Sequence, residues 1–213
     1  MEINMITARE ALDRLKKGNG EFVSRLRNHD TLLSNSRGAE LLLDQNPFAT
    51  IVGCSDSRVP TEIIFNQGFG DLFVIRVAGN IVAPSQVGSV EYAAAQFDAP
   101  LVVVLGHSQC GAILATIDEL KKPAENQSPN LRSIVNRVRP SVEVLMRTEL
   151  RNDPEALVEQ SVQANVFASV DHLKHGSALL EQMIARNELA VVGAEYSLET
   201  GVVTFFDSEL TAN

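Results

Sequence analysis

At 213 residues and about 150 per domain, the chain is expected to form a single domain, 1–213, rather than two unrelated folds. Apolar residues make up 45% and charged residues 21%, the balance of a chain that buries a real core. Eighteen Lys plus Arg against 27 Asp plus Glu leave a net charge of −9; no basic face is offered to a phosphate backbone or an anionic bilayer, so neither nucleic acid nor membrane is an expected partner.

The N-terminal stretch MEINMITAREALDRLKK has no apolar h-region and reads as an amphipathic helix, so no signal peptide is expected and a cytoplasmic location is the default. Thr7 and Glu10 have the spacing of a capping box, and Ala8, Leu12 and Leu15 follow at helical intervals. Gly18-Asn19-Gly20 then predicts a break and a second short helical piece. Residues 39–43 suggest another short helix, closed by Asn46-Pro47. These pieces make up an N-terminal helical arm over 1–45, ahead of an α/β core over 46–213.

Residues 48–53 (FATIVG) and 100–106 (PLVVVLG) are short runs, rich in β-branched residues and ending in glycine. Continuous rather than alternating apolarity predicts strands buried on both faces, as in a parallel sheet. Residues 72–77 and 189–192 are weaker candidates of the same kind. Helical patterns lie between them at 87–97, 112–120 and 154–173, the last opened by an Asp153 cap and Pro154. The segment 121–130, with two prolines among polar residues, reads as an exposed connector. Residues 196–206 read as a hairpin turning at Glu199-Thr200-Gly201, which places an antiparallel strand at an edge. The expected fold is therefore α/β: a mixed, mainly parallel sheet flanked by helices. The longest apolar stretch, around 101–105, is far short of the roughly 18 residues a membrane span needs.

Cys54-Ser55-Asp56-Ser57-Arg58 follows the first buried strand and His107-Ser108-Gln109-Cys110-Gly111 the other, so both sit where open α/β sheets place ligand crevices. With two cysteines and no export signal, both should be reduced thiols. Either alone is most simply a small buried hydrophobe. Together with His107 they form a borderline-soft set suited to zinc, and three ligands rather than four match a catalytic metal with a position left for water. Asp56 reads either as a turn or cap residue or as half of a pair with Arg58, held off the metal to accept a proton from bound water. If the pair opened, Asp56 could itself coordinate the metal.

CSDSRV and HSQCG, in this strand context and at this separation, resemble the motifs of the β-class carbonic anhydrases. LKKGNGEFV is similar to that family's N-terminal helical segment and GAEYSLETGVVTFF to its closing hairpin. The resemblance implies reversible hydration of carbon dioxide to bicarbonate and a proton, by a zinc-bound hydroxide. It implies one zinc ion per chain on Cys54, His107 and Cys110, an Asp56–Arg58 catalytic dyad, and Asp56 as a ligand only in a closed, inactive state. Gln45, Phe73 and Tyr92 resemble the substrate-pocket residues of one subtype, contributed in part across a dimer interface; singly, each reads as a loop or core residue. The chain has no tryptophan, and so lacks the bicarbonate-site tryptophan of a second subtype. Val77 in Arg76-Val77-Ala78-Gly79-Asn80 stands where many members have asparagine, which bears on the hydrogen bonding of the pocket.

The resemblance further implies a homodimer or a larger assembly of dimers, with N-terminal helices packed on the partner. His29, His172 and His175 are candidate proton relays, although each reads first as a surface histidine. Two other readings remain: a hydrolase of carbon disulfide or carbonyl sulfide on the same fold, and a non-enzymatic protein in which Asp56 closes a structural zinc site. A zinc deaminase is disfavoured, because neither His-x-Glu nor Pro-Cys-x-x-Cys is present.

Overall fold

A computed structural model describes residues 6–28, 45–122 and 128–206. The helix expected at 39–43, and His29, lie outside the described residues. Four parallel strands, β1 (Ala49–Gly53), β2 (Leu72–Arg76), β3 (Leu101–His107) and β4 (Ala190–Tyr196), and one antiparallel strand, β5 (Val203–Phe205), form one sheet in the order β2-β1-β3-β4-β5. The expected mixed sheet and its edge hairpin are thus present. Every residue of β1 and of β3 is buried, because helices cover both faces.

Side chains alternate between two apolar layers. Ile51, Val103 and Leu105 face one layer with Leu12, Leu15 and Phe22 of helix α1 (Ala8–Asn28) and Phe65 after the short α2 (Thr61–Ile64). Val52, Val102 and Val104 face the other, with Val90 of α3 (Pro84–Phe97), Val166 and Leu173 of α6 (Pro154–His175) and Leu180 of α7 (Ala178–Ala185). A third cluster joins Ile113 and Ile117 of α4 (Gly111–Lys121) to Val138 and Val142 of α5 (Pro129–Leu145), and reaches Cys54 and Cys110.

The N-terminal break is a correction: α1 runs unbroken for 21 residues. The capping box forms as expected, Thr7 N–H donating to Glu10 Oε2 at 2.8 Å and Glu10 N–H to Thr7 Oγ1 at 3.2 Å. Gly18 and Asn19 are used for packing rather than for a turn. A side chain at Gly18 would collide with the Phe65 carbonyl, so glycine is what lets α1 approach this closely. Asn19 is 5% exposed; its Nδ2 donates to Ile64 O and Gly201 O at 3.2 and 2.9 Å, and its Oδ1 accepts from Val203 N at 2.9 Å. Tertiary contacts override the weak helix propensity of the triplet. Asn19→Ala should therefore destabilise the fold by about 3 kcal/mol, since three buried backbone groups lose their partner; urea unfolding checks this, and a change under about 1 kcal/mol would contradict it.

α5 is an element that the sequence pattern did not reveal. Its Pro129 sits at the first helical turn, where a missing N–H costs nothing, so the second proline of the expected connector in fact starts a helix. The Asp153 cap is present, accepting from Ala156 N at 3.1 Å.

Candidate metal centre

The chain leaves β1 for β2 on one side and later returns to β3 on the other, so β1 and β3 are neighbours with opposed onward connections. A crevice opens at such a switch point, at the carboxyl ends of the strands. Gly53 pairs with Leu105 in register, which brings Cys54, just past the end of β1, level with the last residues of β3. There His107 ends β3 and Cys110 caps α4. The ligand atoms of Cys54, His107 and Cys110 all lie within 4.8 Å of one another, and the three residues are 5%, 0% and 1% exposed. Two segments some fifty residues apart therefore converge as their strand context predicts.

The donor set fits a soft dication. His107 Nε2 is buried with no hydrogen-bond partner, while its Nδ1 is 2.9 Å from the Ser108 carbonyl. A carbonyl only accepts, so Nδ1 carries the proton and Nε2 presents a free lone pair to the two sulfurs. Cys110 donates to Cys54, which lowers the Cys54 thiol below its ordinary range against an opposing effect of burial, helped by the Gly79 N–H at 3.3 Å from Sγ. The same hydrogen bond, together with burial, raises Cys110. The sulfurs thus compete for one negative charge, and a bound dication would allow both to ionise.

Asp56 stands beside this triangle. Arg58 grips it in a fork, Nη2 to Oδ2 at 2.7 Å and Nε to Oδ1 at 2.9 Å, with the Arg58 N–H on Oδ1 at 2.9 Å. This pairing, against a smaller opposing effect of burial, holds the carboxyl well below the usual carboxylate range. For an acid depressed in this way the contribution to stability is complete above the unfolded aspartate value of ~3.9 and is lost only in stronger acid. Asp56 Oδ2 lies 3.9 Å from His107 Nε2, which is near the triangle but committed to Arg58.

Two contributors were not assigned from the sequence. Arg76, at the end of β2, donates from Nε to Cys54 O at 2.9 Å and from Nη2 to Asp56 O at 2.5 Å, pinning the backbone that carries both groups. Gly79 takes φ +71, and a Cβ there would stand 2.9 Å from the Ala112 Cβ; only glycine lets its N–H reach Cys54. The run Arg76-Val77-Ala78-Gly79-Asn80 was the available signal. Val77 is half-buried and packs in the apolar cluster with Cys54 and Ile81.

Gln45 is exposed. Phe73 is half-buried, 6.1 Å from Tyr92 and 5.9 Å from Phe97 between ring centroids. Phe73 pairs with Thr50, four residues before Cys54, so it sits ~13 Å back along the sheet from the crevice. Asn165 of α6 donates to Gly79 O at 2.8 Å. His172 and His175 follow it by seven and ten residues, and so lie roughly 10 and 15 Å further down the helix. His175 pairs with Asp171 at 3.0 Å. Both are exposed and are placed as surface histidines.

Residues 49–203 match the carbonic anhydrase family. The chain is 40% identical over 190 residues to carbonic anhydrase 2 of Mycobacterium tuberculosis, covering 88% of this chain and 87% of that protein. It is 39% identical over 189 residues to the carbonic anhydrase of Mycolicibacterium smegmatis, covering 89% and 88%. Among solved structures it is similar to the β-carbonic anhydrase CcaA, at 25% identity and TM-score 0.71 over 94% of this chain and 86% of that one. It shares its fold with two tetrameric β-carbonic anhydrases of Sordaria macrospora, at 24% identity and TM-score 0.70 over 89% and 93%.

Proposed function

The chain belongs to the β class of the carbonic anhydrases, and from that premise we propose that Cys54, His107 and Cys110 hold one zinc ion per chain while Asp56 and Arg58 act as the catalytic dyad for carbon dioxide and bicarbonate. The observation that carries the dyad is the two-pronged Arg58–Asp56 pair with Asp56 Oδ2 3.9 Å from His107 Nε2. Zinc in such a site supplies a nucleophile at neutral pH by lowering the pKa of coordinated water.

This chain's residues do the rest. Arg58 keeps Asp56 ionised and fixes its rotamer, so the carboxylate accepts a hydrogen bond from the nucleophile and aims its lone pair at carbon dioxide. Arg76 and the Gly79 N–H hold the Cys54 loop so that the carboxylate and the ligand sulfur keep their separation. Release of Asp56 from Arg58 would let the carboxylate become a fourth ligand, the closed and inactive arrangement.

Phe73 is ~13 Å behind its own chain's crevice and Tyr92 lies against it, 6.1 Å between ring centroids, so we assign both, with Gln45, to the substrate pocket of a second copy. This favours a homodimer as the working unit, within an assembly that extends to a tetramer or beyond. A folded and fully active monomer in sedimentation at micromolar concentration would rule that unit out. Residues 1–213 then form one domain, with the helical arm of 1–45 bearing partly on the partner and α1 also covering its own sheet. Among the described residues no helix is long and apolar enough to cross a membrane, and the cytoplasm is the proposed compartment.

The test is the stopped-flow rate of carbon dioxide hydration against pH, on protein of measured zinc content. Turnover that rises through neutral pH is the expected result. No turnover at any pH with zinc bound would shift the assignment to hydrolysis of carbon disulfide or carbonyl sulfide.

A further inference from the structure

His107 and Cys110 are joined by only two residues, and the second, Gln109, takes φ +54. A non-glycine residue in the left-handed region is strained and persists only where its surroundings impose it. The constraint comes through Ser108, which makes three separate contacts. Its carbonyl accepts from His107 Nδ1 at 2.9 Å, its N–H donates to Tyr196 O at 3.0 Å, and its Oγ accepts from Leu198 N at 2.9 Å. Tyr196 ends β4 and Leu198 lies in the turn before β5, so the strand-end hairpin grips the loop by both backbone and side chain.

That hairpin is itself held. Ser197 N donates to Val202 O and Gly201 N to Ser197 O, each at 2.9 Å, and Asn19 of α1 bonds Gly201 O and Val203 N. A continuous hydrogen-bonded path thus runs from the buried face of α1, through the β4–β5 turn and Ser108, to the ring that presents Nε2.

We propose that Ser108 is a positioning residue for the metal, and that its hydroxyl, by anchoring the loop to the Leu198 N–H of the β4–β5 turn, sets the orientation of His107. The assignment rests on Cys54, His107 and Cys110 being the zinc ligands. An acceptor on the far nitrogen of a ligating imidazole fixes its tautomer and aims the ring; loss of such support costs about 10- to 100-fold in metal affinity. The acceptor here is a backbone carbonyl that no side-chain change deletes, so the hydroxyl that holds the carbonyl in place is the part open to substitution.

The experiment compares wild type with Ser108→Ala, Ser108→Thr and Ser197→Ala. Ser197 Oγ accepts from Thr200 N at 3.2 Å in the same turn without touching the loop, so its removal controls for general loosening of the hairpin. Zinc affinity is read by competition with a chromogenic chelator, and ligand geometry by the visible absorption of cobalt(II)-loaded protein. Ser108→Ala should bind zinc about 10- to 100-fold more weakly with a shifted cobalt spectrum, Ser108→Thr should restore both, and Ser197→Ala should leave both unchanged. Wild-type affinity and spectrum in Ser108→Ala would overturn the positioning role alone, as would equal weakening in Ser197→Ala or in Ser108→Thr. A wild type that holds no metal would overturn the zinc assignment and the positioning role with it.

Discussion

Asp56→Asn is expected to lower kcat for carbon dioxide hydration by about 100- to 10,000-fold, the range for losing a positioned acid–base group, with zinc still bound at one per chain. The amide has nearly the shape of the carboxylate but carries no charge, and one of its two ends donates. The fork of Arg58, now on Oδ2 at 2.7 Å and Oδ1 at 2.9 Å, loses one acceptor, and the group facing the nucleophile no longer accepts reliably. Stopped-flow hydration and metal analysis on the same sample provide the check. Loss of zinc together with activity would make Asp56 a structural ligand, whereas unchanged turnover would remove it from the mechanism. Since Asp56 is held well below the usual carboxylate range, its protonation does not set the acid limb of the wild-type profile.

Cys110→Ala is expected to weaken zinc binding by at least about 100-fold and to abolish turnover. Structural zinc sites with four ligands are worth about 10–16 kcal/mol in all, so one thiolate carries roughly 3 or 4 kcal/mol, and each 1.4 kcal/mol is tenfold. Cys110 is 1% exposed at the cap of α4, so no water replaces the lost sulfur without opening the cluster of Ile113, Val138 and Leu157 around it. A zinc ion on these three ligands would bind only the folded chain, so a chelator should lower the melting temperature of the wild type by linkage. The variant's melting temperature should be indifferent to chelator and to added zinc. Calorimetry with and without chelator decides this, and a wild type that melts at the same temperature in both would remove zinc from the folding equilibrium.

The parts of the fold that were legible in the sequence were those where local chemistry and tertiary environment agree. FATIVG and PLVVVLG became fully buried strands because an all-apolar run has nowhere to go but between two layers of helices. Asp153 and Pro154 began α6 because a cap and a fixed φ act within a few residues. The same local signals misled at Gly18-Asn19-Gly20, where glycine serves the close approach of α1 to the Phe65 carbonyl and asparagine satisfies backbone 45 to 184 residues away. They were also misread at Pro129, where a proline that suggested a connector begins α5.

The composition of the candidate metal centre was carried by the sequence alone: two thiols, one imidazole and a carboxylate with its arginine, each just beyond a strand readable as buried. Ligand identity is a matter of side-chain chemistry, and strand-end placement follows from apolar runs, so both are written locally. Only the tertiary structure decided which nitrogen of His107 is free, what pins the Cys54 loop and what ties Ser108 to the β4–β5 turn. It likewise decided that Phe73 lies at the β2 edge behind its own crevice, with the Tyr92 ring tilted against it. The ties of Arg76 to the Cys54 loop and of Ser108 to the β4–β5 turn join residues that are distant in the chain through backbone carbonyls and amide protons, which every residue possesses; no side-chain pattern announces them before the strands are in register.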